Sequence, residues 1–88
     1  MPRYTLPGDT TVILNQLDKP KPADNETVLN VARGMVSIEV KWDASQRRYY
    51  VFGSVHKPPQ IAYTFIAAPA RSVTEVRRLV ASAIRHEA

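Results

Sequence analysis

From Val36 to Trp42 the chain alternates: Val36, Ile38, Val40 and Trp42 are apolar, and Ser37, Glu39 and Lys41 between them are polar. A two-residue period sends successive side chains to opposite faces, so the segment predicts a strand with one buried face. Asp43-Ala44-Ser45-Gln46 follows, with Asp at the favoured first position of a type I turn. Arg47 to Val55, rich in β-branched and aromatic residues, is then the return strand of a hairpin. The Pro58-Pro59 pair lacks ladder donors and ends that strand. A third strand is predicted over Ile61 to Ala68, with Pro69 as its stop.

The period changes at Ser72. Val73, Val76, Leu79, Val80, Ala83 and Ile84 fall on one face at helical spacing. Ser72 with Glu75 three residues on makes a capping box, and Arg85 and His86 place positive charge where the helix dipole favours it. The spacing predicts a helix over Ser72–Glu87, lying on one face of the sheet. In the first third, Thr10 to Leu14 has strand character, and Lys19-Pro20-Lys21-Pro22 is a stiff connector. Asp24 as a cap and Gly34 as a left-handed stop predict a short helix over Asn25–Arg33, although Thr27–Val31 also has the composition of a strand. The expected fold is a small α+β domain in β-α-β-β-β-α order. It has a three- to four-stranded antiparallel sheet and a C-terminal amphipathic helix packed on one face. Residues 1–23 form an N-terminal segment and 24–88 the core of a single domain.

From Asn25 to Glu87 this α–β–β–β–α order resembles in outline the double-stranded-RNA-binding-like domains. The three strands and terminal helix are also similar to the small sheet domains with which phage integrases grip DNA arms. Both resemblances imply nucleic-acid binding. Where RNA-binding members open their second helix with a lysine cluster, this chain has Ala70-Arg71-Ser72-Val73-Thr74.

At 88 residues, with 44% hydrophobic and 23% charged side chains, the chain has material for one modest core. The lack of cysteine removes disulfides, thiolate metal sites and cysteine nucleophiles together. No run approaches the roughly 20 apolar residues of a membrane helix, and Met1–Thr5 has no signal-like apolar stretch. The expectation is a cytoplasmic protein with no membrane partner. Charge changes the picture more. Residues 1–43 carry five basic and six acidic side chains, whereas residues 44–88 carry seven basic and two acidic. A basic half suits nucleic acid or an acidic protein surface.

The predicted turn pairs Trp42 with Arg47, Val40 with Tyr49, Ile38 with Val51 and Val36 with Gly53. Lys41, Arg48, Tyr50 and Phe52 then share the face away from the helix, interleaving cations with rings. Base–aromatic stacking contributes about 1–3 kcal/mol per base while cations follow the phosphates. The expectation for the rings themselves, however, is that Tyr4, Leu6, Val12 and Leu14 of the N-terminal segment partly bury Tyr50 and Phe52. On the helix, Arg78 and Arg85 lie about 20° apart at ~100° per residue, nearly opposite the apolar stripe. Arg71 precedes the cap and Arg77 flanks the stripe. Such a row either meets phosphates or an acidic groove, or is simply a solvated face.

Nothing else demands chemistry. Ser54 and His56 lack a placed carboxylate, the acids are scattered, and three glycines make no phosphate-cradling loop. The expectation is therefore a non-enzymatic nucleic-acid-binding module without metal or cofactor. The alternative is a small protein-binding regulator or inhibitor of the phage or mobile-element type, and a homodimer is compatible with both.

Overall fold

A computed structural model describes residues 5–59 and 62–87. Five strands, β1 (Thr11–Asn15), β2 (Thr27–Arg33), β3 (Val36–Asp43), β4 (Arg48–Val55) and β5 (Tyr63–Ala70), precede one helix, α1 (Val73–Glu87). The strands form an antiparallel meander in the order β1-β2-β3-β4-β5. This overturns the β-α-β-β-β-α order and the three- to four-stranded sheet. The outline of a double-stranded-RNA-binding-like domain goes with it.

The short helix expected over Asn25–Arg33 is strand β2, and a bulge explains the misreading. Thr27 pairs with Lys41 and Leu29 with Val40, so one extra residue, Val28, is inserted. Val28, Leu29 and Val31 are all buried. With the half-buried Ala32 they fall at i, i+1, i+3 and i+4, the signature of a helix face. A bulged strand has the same signature, because the extra residue lets two neighbours point inward. Asp24 caps no helix; its Oδ1 accepts the amide of Ala44 at 3.0 Å. Gly34 is left-handed as expected, with φ of 61°, but it opens the two-residue β2–β3 turn, where a type II′ turn needs glycine.

The β3–β4 register differs from the expected one by two residues. Trp42 pairs with Tyr49, Val40 with Val51, Ile38 with Gly53 and Val36 with Val55. Arg47 is not yet strand. It adopts φ of 52° and closes a four-residue loop, Ala44–Arg47. Asp43 organises that loop, its Oδ1 accepting the Ser45 amide at 3.1 Å, the Ser45 hydroxyl at 2.7 Å and the Gln46 amide at 3.3 Å. A two-residue shift keeps every side chain on its predicted face, since the period is two.

Pro69 does not end the third predicted strand. It lies within β5 opposite Tyr50, and β5 is an edge, where a residue without an N–H is tolerated. The predicted start at Ile61 lies outside the described residues. Near the other end of β5 a bulge sets Phe65 beside Ile66 over Gly53. A Cβ on Gly53 would sit 2.6 Å from both Ile66 Cγ2 and Phe65 Cζ, so any larger residue there would force the Phe65 and Ile66 side chains to shift.

The core lies between the sheet and α1, which rests on β3, β4 and β5. Val31, Ile38, Val40, Val51, Val55, Val76, Val80 and Ile84 are essentially solvent-free. Burial of such a side chain contributes about 1.5–3 kcal/mol. Leu17 and Leu6 fill the flank that the helix leaves. The capping box forms as expected: Ser72 Oγ accepts the Glu75 amide at 3.1 Å, and Glu75 reaches back to the Arg71 amide at 3.1 Å. Among the described residues, no helix is long and apolar enough to cross a membrane.

Candidate functional site

The helix covers one side of the sheet. The other side presents rows of cross-strand neighbours: Pro69, Tyr50, Lys41 and Thr27 in one, then Ala67, Phe52, Glu39, Asn30 and Leu14 in the next. The expected cover does not form. Leu6 packs at the margin of the core, and Leu14 lies at the far end of its row from Phe52. Tyr4 lies outside the described residues. Phe52 is left 40% exposed. Its ring lies against Tyr50, with centroids 4.7 Å apart and planes tilted by 35°, and the Arg48 guanidinium is 5.8 Å from the Tyr50 ring centre. Trp42, expected in the core, is half-buried at its edge. It packs on the helix side edge-on against Tyr49, centroids 4.9 Å apart.

The outer face carries both charges. Lys41 Nζ is 3.9 Å from Glu39, and Arg48 Nε is 4.0 Å from Asp43. Glu39 also accepts the Thr27 hydroxyl at 3.0 Å. Two further pairs bind the sheet's surroundings, Arg33–Asp9 at 2.8 Å and Lys19–Glu26 at 2.7 Å. The acids respond to these contacts. A hydrogen bond from Arg33 holds the Asp9 carboxyl below its ordinary range, one from Lys19 does the same for Glu26, and the Ser45 hydroxyl does so for Asp43. Half-exposed pairs of this kind contribute little stability, but they neutralise the face. Sequence reasoning found Lys41 and Arg48 and missed Glu39 and Asp43 as their partners. The signal was available: Glu39 stands two residues before Lys41 on the same face, and the loop turns Asp43 toward Arg48.

The helix side differs. Arg78 and Arg85, seven residues apart, lie close to one line along α1, Arg71 stands just before its first turn, and all three are exposed. Arg77, also exposed, flanks them beside a recess lined by Leu6, Leu17 and Val80. Glu75, the acid in the first turn of α1, is turned back into the cap. Arg85 donates to the Thr5 carbonyl at 2.6 Å, holding the segment before β1 against the helix without neutralising the charge. Arg71, Arg77 and Arg85 meet no carboxylate among the described side chains.

The seven predicted site residues therefore do not form one site. Lys41, Arg48, Tyr50 and Phe52 share the outer sheet face, whereas Arg78 and Arg85 belong to the helix on the other side and Arg71 to the turn that leads into it. Ser54 Oγ lies 3.4 Å from Ser37 Oγ, and the backbone amide of His56 donates to Met35. Among the described residues, no three acids or histidines converge as metal ligands would. No protein-family model matches the chain, and no curated protein or solved structure is significantly similar to it.

Proposed function

We infer that the protein is a non-enzymatic binding module that takes a nucleic-acid backbone on the arginine-bearing face of α1. One observation carries this reading. Arg78 and Arg85 are exposed on one side of α1 and Arg71 is exposed just before its cap, while the Glu75 carboxylate is engaged by the Arg71 backbone amide. Arg forks suit phosphate oxygens, and an exposed row of them supplies the field that attracts a polyanion. The test is fluorescence anisotropy of labelled duplex DNA, duplex RNA and single strands at low and moderate salt. Each phosphate contact adds about 0.9 to the slope of log affinity against log salt on duplex DNA. The variant R71E/R77E/R85E should lose most of the affinity and flatten that slope, whereas K41A/R48A on the sheet should change little. Binding that survives the helix variant would sink the reading.

A second reading is favoured by the uncovered ring pair on the outer face. Tyr50 and the exposed Phe52 are the kind of aromatic anchor on which a partner protein docks. A regulator acting this way would lose its partner on Phe52→Ala and keep it in the helix variant.

A further inference from the structure

A third surface belongs to neither reading. The loop that links β1 to β2 and the loop that links β3 to β4 flank an open, shallow cleft of about 640 Å³, lined by Lys19, Pro20, Lys21, Pro22, Trp42, Ala44, Arg47 and Tyr49. Its Trp42 and Tyr49 are half-buried and in ring contact, and its cations Lys19, Lys21 and Arg47 are exposed. Lys21 and Arg47 both hold the left-handed backbone conformation, with φ of 56° and 52°, although neither is glycine. Lys21 also precedes Pro22, a position that ordinarily holds extended backbone. Left-handed non-glycine residues persist where the surroundings over-determine them, and they cluster at ligand clamps.

The charges around the cleft are sorted. Lys19 is committed to Glu26. Asp24 accepts the Ala44 amide, Asp43 accepts the amides of Ser45 and Gln46, and Glu26 also accepts the Ala23 amide. Among the described residues, no carboxylate lines the cleft. Lys21 and Arg47 are its two cations without an ion pair among the described residues.

We propose that this cleft binds a nucleotide, its base against Trp42 and Tyr49 and its phosphate held by Lys21 and Arg47. A planar heterocycle stacks on aromatic rings in the way bases do, and charge-assisted contacts from an ammonium and a guanidinium hold a phosphate. The same chemistry is presented by a free nucleotide and by the phosphorylated end of a single strand. The site uses none of the helix arginines, so its failure and that of the helix reading are separable.

The test uses the chain's only tryptophan, Trp42, as its reporter. Titration with AMP should quench the Trp42 fluorescence saturably, inorganic phosphate should compete, and adenosine should bind more weakly than AMP. Lys21→Gly with Arg47→Gly removes both cations at positions where glycine is conformationally at home. That variant should stay folded, judged by far-UV circular dichroism and urea unfolding, and bind AMP about tenfold or more weakly. A 5′-phosphorylated oligothymidine run in parallel identifies the source. If it binds much tighter than AMP, and R71E/R77E/R85E removes only the excess, the ligand is a strand end. Equal affinities name the free nucleotide. An absence of quenching by AMP and by the oligonucleotide up to millimolar concentration overturns the proposal, as does unchanged affinity in the double glycine variant.

Discussion

The two sides of the sheet carry cations in different company. On the outer face Lys41 lies near Glu39 and Arg48 near Asp43, and the rings of Tyr50 and Phe52 lie between a neutralised set of charges. On the helix side Arg71, Arg77 and Arg85 meet no described carboxylate. The linear sequence is basic in its second half, yet β4 belongs to that half and its Arg48 is matched by an acid from the first. A hairpin sets residues on either side of its turn next to each other, and so mixes charge across the boundary between the halves. A helix draws its surface from one short segment, and so preserves the local bias. Net charge along a sequence becomes charge at a surface only where the fold does not interleave the halves.

The largest expected effect separates the two sides by stability. Ile84 is fully buried under the sheet, and Ile84→Ala should cost about 2–5 kcal/mol in urea unfolding. Phe52→Ala on the open face should stay within about 0.5 kcal/mol of the parent. A large loss from Phe52→Ala would mean that something covers the outer face in solution. Next comes the cap that starts α1, Ser72 Oγ accepting the Glu75 amide and Glu75 accepting the Arg71 amide. Ser72→Ala should cost about 1 kcal/mol and leave the sheet intact, with fraying seen as reduced hydrogen-exchange protection in the first turn of α1. Arg47→Gly should raise stability by up to about 1 kcal/mol, since it relieves a left-handed arginine. A fall in stability would show that the arginine side chain holds the loop.

Acid should act on the sheet side first. The carboxyls of Asp9, Glu26 and Asp43 are lowered in the fold by their hydrogen bonds to Arg33, Lys19 and the Ser45 hydroxyl. Between their ordinary values, 3.8 for the aspartates and 4.5 for the glutamate, and the lower folded ones, the unfolded chain binds more protons. Their contribution is therefore fully present above about pH 5 and is lost as pH falls through the folded values. The urea midpoint should drop on acidification, and D9N/E26Q/D43N should flatten that drop. An unchanged profile in the triple variant would assign the acid sensitivity elsewhere. Because these groups are exposed, this is the smallest of the effects.

Period and punctuation made several elements legible. The alternation Val36–Trp42, the amphipathic spacing after Ser72 and the Ser72/Glu75 cap each rest on interactions within one element, and each stands in the structure. The assignment of Tyr50 and Phe52 to the outer face also held, because a register error of two leaves faces unchanged. The misreadings came where a local pattern has two solutions. Val28-Leu29-Asn30-Val31-Ala32 satisfies a helix face and a bulged strand equally, and pairing with β3 decides between them. Pro69 stops a central strand but not an edge, and only the strand order makes β5 an edge.

The sequence by itself determined which residues are apolar at which period, where the helix is capped, and that basic charge gathers in the second half. Tertiary structure decided which cations face acids, which rings stay bare, and that Lys21 and Arg47 line one cleft with Trp42 and Tyr49. The physical reason is range. Capping and period act over a few residues along the chain, whereas the cleft, the Arg33–Asp9 pair and the Asp24–Ala44 contact join residues 20 or more apart that only the fold brings together.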